Sequence, residues 1–346
     1  MTISPSPLPT AKQIAARPLI QTWLLILCGI IFIMVLVGGA TRLTGSGLSI
    51  TEWKPIMGAI PPLNAADWAE AFAKYKEIPQ YKKINFGMSL EEFKTIFWWE
   101  WSHRFLGRFI GIVFLLPFLY FLFTGRIERH LNPQLWVLFA LGGLQGFIGW
   151  YMVASGLVER TEVSQYRLAL HLGLAIVIYG ALFWAALGLS NRSLTSTVSP
   201  SIRRTSTFLL SLIFLQIIAG AFVAGLRAGE AFNTWPLMDQ EIIPHGLWTI
   251  EPLWKNLFEN IRTVQFDHRM LAYVVAIVGL VHMFQLIRHS KGQATGAVLL
   301  FIAIIAQIGL GIWTLLAVVP VHLGVAHQAM ALVLFSIAIW HRKTLA

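Results

Sequence analysis

Eight apolar stretches of 18 to 23 residues constrain this chain more than any other feature: 23–40, 105–123, 135–154, 168–189, 208–226, 270–287, 297–319 and 321–340. A bilayer core takes about 20 apolar residues per helix. Strands and signal-peptide cores are shorter. Backbone in lipid must satisfy its own hydrogen bonds, so spans of this length read as transmembrane helices. Arg108 is the one full charge inside them. Composition agrees, with 56% hydrophobic and 12% charged residues. That balance excludes disordered, collagenous and coiled-coil chains. The single cysteine, Cys28, excludes an intramolecular disulfide, a cysteine zinc site and a cysteine-ligated iron–sulfur cluster.

The net charge of +10 reports topology. With the N-terminus inside, the inner segments carry the whole excess of Lys and Arg, and Glu128 is their one acid. The outer segments are close to neutral. That is the positive-inside pattern, and it removes the support for nucleic acid as a partner. The partner it implies is the lipid bilayer. Both termini are expected in the cytoplasm. Two outer connections are long, 41–104 and 227–269. In the first, residues 64–77 read as an amphipathic helix. Ser89 and Glu92 then have capping-box spacing and open a helix that runs through His103 into the second span.

The two halves resemble each other. WKPIM at 53–57 is matched by WPLM at 235–238. Ser102-His103-Arg104 is matched by Asp267-His268-Arg269. QGFIGW at 145–150 is matched by QIGLGIW at 307–313, and Leu170-His171 by Ala326-His327. The expected fold is therefore an all-α integral membrane protein, with eight transmembrane helices as two duplicated four-helix bundles. The domains are 1–195 and 196–346, divided in the inner loop near 190–206.

Each half offers two matched histidines, His103 with His171 and His268 with His327, near the outer ends of their spans. Paired imidazoles from two helices are what a bundle needs to hold a haem. A lone histidine there reads more simply as a helix–helix hydrogen bond or an interfacial ring. Four in a repeated pattern favour haem iron as their metal. His130, His289 and His341 lie among basic residues and read as inner-surface signals. His282 reads as a packed polar group, and His322 as a ring at a haem edge. Arg104, Arg108, Arg167 and Arg269 stand beside the four histidines as candidate propionate partners; snorkelling to the interface is the alternative. Glu100 lies one turn before His103, where the second half has Gln265. It is either a catalytic carboxylate or an interfacial acid paired with Arg104.

The motifs EWSHRFLGR at 100–108, GGATRLTGSGLSITEWKP at 38–55, DHRM at 267–270 and AHQ at 326–328 resemble those of the haem A synthase family. The likeness runs from the first span to the last and is nearest the alphaproteobacterial and mitochondrial branch. It implies oxidation of a haem O ring methyl to a formyl group through an alcohol, with oxygen from water, giving haem A for cytochrome oxidase. By position, His103 and His171 would flank the substrate haem O, Glu100 would be the acid beside the methyl, and His268 and His327 would ligate a haem b. The family also implies an electron acceptor, which no motif selects, a haem O synthase (farnesyltransferase) as partner, and self-association. The short N-terminus points to a bacterial inner membrane rather than a mitochondrion. Some members carry a cysteine pair in the first outer loop. Here residues 41–104 have none, so the helices proposed there must order it. A di-haem cytochrome b that only passes electrons is the competing function, and a transporter ranks last.

Overall fold

A computed structural model describes residues 8–54, 57–158, 160–190 and 198–345. Part of the domain boundary, Arg192 and the middle of the 53–57 motif lie outside them. The helices are α1 Ala11–Leu43, α2 Ala65–Lys76, α3 Pro79–Lys83, α4 Leu90–Phe123, α5 Leu131–Gly156, α6 Gln165–Gly188, α7 Pro200–Gly225, α8 Ala228–Ala231, α9 Asn256–Glu259, α10 Ile261–His289, α11 Lys291–Leu316 and α12 Val321–Thr344. Among the described residues eight helices are long and apolar enough to span a membrane: α1, α4, α5, α6, α7, α10, α11 and α12. No strand forms among them; there is one isolated bridge, between Met238 and Glu241.

The expected spans fall within these helices, apart from three ends. Residues 189 and 226 are C-caps, and residues 317–319 form a turn with Val318 and Val319 at positive φ. An apolar pattern continues past a helix end when the turn residues are themselves apolar, so hydropathy overran there.

The N-terminal helices pack in a closed ring, α1 on α4, α4 on α5, α5 on α6 and α6 back on α1. The C-terminal helices repeat that order, α7 on α10, α10 on α11, α11 on α12 and α12 on α7. This agrees with the duplication expected from sequence. The rings meet where α6 packs on α7 and where α12 packs on α1 and α6. Lipid is as apolar as leucine, so close packing and hydrogen bonds hold such bundles together. Across the seam Gln328 Nε2 donates to the Val35 carbonyl at 3.1 Å, and the Tyr179 and Ser336 hydroxyls are 2.7 Å apart. A Cβ at Gly39 would collide with the Gln328 amide, so glycine there lets α1 and α12 approach.

The first outer loop is a small packed unit. Asn64 caps α2 and Ser89 caps α4 with the expected capping box. Trp68, Phe72 and Tyr75 of α2 pack on Phe93 and Phe97 of α4, outside the second apolar span. Burial of each of these aromatics from water contributes about 1.5–3 kcal/mol. Gln80 Nε2 donates to the Gly45 carbonyl at 2.8 Å and ties the unit to the end of α1. The loop is thus ordered without a disulfide, as its lack of cysteine required.

Candidate functional site

The four matched histidines sit on diagonal helices of the two rings: His103 on α4 and His171 on α6, His268 on α10 and His327 on α12. The other diagonal supplies a glycine to each. The nearest ring atom, Cε1, lies 2.8 Å from where a Cβ on Gly38 (α1) would stand for His103. The same distance is 3.0 Å for Gly149 (α5) and His171, 3.2 Å for Gly220 (α7) and His268, and 2.8 Å for Gly311 (α11) and His327. Any side chain at these positions would push the ring. Four helices therefore each present bare backbone to an imidazole, a cradle that an alanine would fill.

His103 and His171 face each other with ring centroids 6.5 Å apart. Two metal–imidazole bonds of about 2 Å each fit within that separation. All four histidines are half-buried. Two neutral imidazoles per half form a donor set suited to a haem iron. Among the described residues no cluster of three or more His, Cys, Asp or Glu offers another metal site.

A glutamine one turn before the glycine completes three of the four arrangements. Gln145 Nε2 donates to the His171 carbonyl at 3.0 Å and lies 3.2 Å from its Nδ1. Gln216 does the same for His268, at 3.0 and 3.1 Å, and Gln307 for His327, at 3.0 and 3.2 Å. In α1 the matching position, four residues before Gly38, is Met34. Sequence pairing of 145–150 with 307–313 found two of these glutamines. The third, in α7, and its relation to a histidine on another helix were missed. The signal that could have found it is Gln followed by Gly four residues later in three odd-numbered spans.

Glu100 is buried, and its carboxylate is fully engaged. Oε1 accepts from Arg104 Nε at 3.0 Å and Nη2 at 2.6 Å; Oε2 accepts from the Ser49 hydroxyl at 2.8 Å and the Ile50 N–H at 2.7 Å. Arg104 also donates to the carbonyls of Ile50 and Glu52, and Arg108 to that of Lys54. Together they lash the 49–54 segment to α4 beside His103. Gln265, one turn before His268, holds the other half alike: it accepts from Arg269 at 3.0 Å and donates to the carbonyls of Ala228 and Phe232. Arg269 adds a bond to the Phe232 carbonyl. Arg167 stacks on Tyr151, 4.3 Å from its ring centroid.

The remaining histidines divide. His130, His245, His289 and His322 are exposed. His341, expected at the inner surface, is fully buried and faces His282 with their Nε2 atoms 2.9 Å apart. The correction has a physical cause. His341 is one turn short of the end of α12 and points into the bundle, where His282 supplies the partner a buried ring requires.

Fold and site together define a polytopic membrane protein with two imidazole pairs, one per helix ring. Comparison with known proteins narrows that class. Residues 21–339 match the family model described as cytochrome oxidase assembly protein, and the chain belongs to that family. It is 53% identical over 335 residues to the heme A synthase of Parvibaculum lavamentivorans, covering 97% of this chain and 96% of that protein. The heme A synthase of Bradyrhizobium diazoefficiens is 54% identical over 331 residues, covering 94% and 91%. That of Nitrosospira multiformis is 52% identical over 341 residues, covering 96% and 95%.

Proposed function

We propose that this chain is a haem A synthase of a bacterial membrane. It oxidises a ring methyl of haem O to the formyl group of haem A by successive two-electron steps, for cytochrome oxidase. The observation that carries the reading is identity above 50% over nearly the whole length of relatives named heme A synthase. The arrangement of the two imidazole pairs supports it.

The N-terminal half takes haem O as substrate between His103 and His171. In the C-terminal half His268 and His327 would hold a haem b, which would supply a route for electrons when bound. Glu100, one turn from His103, is a fixed negative charge: two arginine nitrogens, a hydroxyl and a backbone N–H hold it in place. Such a preorganised charge stabilises positive charge as it develops beside the porphyrin edge. Arg104 and Arg269 are committed to main-chain carbonyls and to the residue one turn before them, so they act by holding the loops. Arg108, which spends one nitrogen on the Lys54 carbonyl, and Arg167, which stacks on Tyr151, are the propionate partners in the N-terminal half. Both termini lie in the cytoplasm, on the side of the basic excess. A haem O synthase delivers the substrate, and a separate acceptor takes the electrons.

The test is expression with haem O synthase in a host that lacks its own haem A synthase. Haem A should accumulate with the wild type. Glu100→Ala should stop conversion while haem b is kept. Unchanged conversion in Glu100→Ala would remove its catalytic role. Failure of the wild type to form haem A, with two haem b per chain, would favour the electron-transfer cytochrome.

A further inference from the structure

The cradle glycines and the matched histidines set the two helix rings in register, and that register extends to the other end of the bundle. Seventeen residues before Gly38 on α1 stands Gln21, and seventeen before Gly220 on α7 stands Arg203. Pro18 and Pro200 fall into the same pairing. Fifteen residues after His171 on α6 stands Ala186, and fifteen after His327 on α12 stands Arg342. In the N-terminal ring these two places satisfy each other: Gln21 Nε2 donates to the Ala186 carbonyl at 3.0 Å. In the C-terminal ring both places hold a guanidinium. Like charges where two helices close are unfavourable without a counter-charge.

Arg203 and Arg342 line one open cavity of about 490 Å³ between the start of α7 and the end of α12, together with Arg204, Thr207, Phe208 and Ser211. Arg203 Nε and Arg342 Nη1 are buried with no hydrogen-bond partner. Arg342 Nε donates to the Thr207 hydroxyl at 2.7 Å, which fixes that guanidinium at the cavity. The neighbouring chain supplies no carboxylate side chain: residues 190–210 and 321–346 contain no Asp or Glu, and Glu128, the one acid of the inner segments, is taken by Arg17 at 2.6 Å. Arginines that only mark an inner surface reach into water, as the exposed Arg129 and Arg288 do. Unpaired guanidinium N–H groups that converge on one cavity match the oxygens of a phosphate. Phe208, 55% exposed, lines the same cavity and begins the fifth apolar span. The cavity is therefore cationic on one side and apolar on the other. Inorganic phosphate satisfies only the first side; a phosphate head with an acyl chain satisfies both.

We propose that Arg203, Arg204 and Arg342 bind the phosphate of an anionic phospholipid, with an acyl chain lying along Phe208. Basic pockets between transmembrane helices on the cytoplasmic side suit such headgroups. The lipid neutralises the facing guanidiniums and ties α7 to α12, as the Gln21 bond ties α1 to α6. Its placement in the inner leaflet rests on the topology proposed above; the site itself does not depend on the haems.

The test uses the purified full-length protein, stripped of lipid by detergent exchange and then given dioleoylphosphatidylglycerol, dioleoylphosphatidylcholine or inorganic phosphate in micelles. Native mass spectrometry reads retained lipid, and thermal unfolding reads Tm. Micelles offer lipid to both ends of the bundle, so the result is independent of topology. The wild type should retain phosphatidylglycerol and melt higher with it, and should gain little from phosphatidylcholine or inorganic phosphate. Arg203→Gln and Arg342→Gln should each weaken retention by about tenfold, the loss of one charge-assisted bond. Without lipid, Arg203→Gln should melt no lower than the wild type, because a like charge has been removed; that separates lost binding from lost folding. The double variant Arg129→Gln with Arg288→Gln removes inner-face charge away from the cavity, and it should retain lipid as the wild type does. Unchanged retention in Arg203→Gln and Arg342→Gln, or an equal loss in the Arg129 and Arg288 double variant, would overturn the site. A Tm rise with inorganic phosphate as large as that with phosphatidylglycerol would overturn the lipid as its occupant.

Discussion

Glu100 and Gln265 stand in equivalent places, each one turn before a matched histidine and each bound to the arginine four residues on. Their loop contacts run in opposite directions. Glu100 accepts from Ser49 and Ile50, whereas Gln265 donates to Ala228 and Phe232. One half therefore keeps a buried negative charge beside its histidine, and the other keeps a neutral amide in the same scaffold. The chemical difference between the halves is concentrated in that exchange.

Two substitutions separate the charge from the scaffold. Glu100→Ala takes the carboxylate away from Arg104, Ser49 and the Ile50 N–H, and removing one partner of a buried ion pair costs about 3–5 kcal/mol. Glu100→Gln keeps an acceptor for Arg104 and costs less. Thermal unfolding should rank the variants wild type, Gln, Ala, while haem A formation is lost in both. Activity retained in Glu100→Gln would show that shape, and not charge, matters there.

The glycine cradles give a graded prediction. Alanine is the better helix former by about 1 kcal/mol, so Gly→Ala should stabilise these helices if the rings were elsewhere. With the rings where they are, haem retention should fall most for Gly38→Ala and Gly311→Ala, at 2.8 Å, then Gly149→Ala at 3.0 Å, and least for Gly220→Ala at 3.2 Å. Haem per chain after purification reads the order. Equal retention in all four would contradict it.

Glu162 joins the two helix rings. It pairs with Arg42 at 2.8 Å and with Arg227 at 2.6 Å, from the ends of α1 and α7. The group is partly exposed, so solvent screens it. Glu162→Gln should lower stability by about 1 kcal/mol, and salt should narrow that difference. Tm measured at low and high ionic strength checks both statements.

The first outer loop should loosen in acid. Lys54 and Lys74, each 2.9 Å from the Glu52 carboxylate, hold its pKa below the ordinary 4.5. A depressed folded pKa means that this contribution is fully present above 4.5 and is lost as pH falls through the folded value. Proteolysis within 41–104 should therefore accelerate below about pH 4.5, and Glu52→Gln should flatten that dependence. An unchanged profile in Glu52→Gln would assign the acid step to other carboxylates.

Much of this was legible in the sequence, for physical reasons that also mark where legibility stopped. A bilayer imposes length and hydropathy on a span, so eight helices could be read directly. The Ser89–Glu92 box and the matched histidines are local patterns and survive translation into structure. Contacts between helices are not local. Gln216 and His268 are 52 residues apart, and nothing in either segment announces the other. The His282–His341 pair was hidden likewise, because the basic residues after His341 suggested a surface. Arg104 was read as a propionate partner from its position alone; its bonds to the 50–52 carbonyls depend on the path of a loop that hydropathy does not describe.

The central claim is that two imidazole pairs hold two different haems. Extraction of pigment from the purified protein, with chromatography of the haems and His268→Ala and His103→Ala alongside, tests it most directly. The account predicts haem b together with haem O or haem A in the wild type, loss of haem b in His268→Ala, and loss of the farnesylated haem in His103→Ala. Two equivalents of haem b with no farnesylated haem, or haem b that survives in His268→Ala, would contradict it.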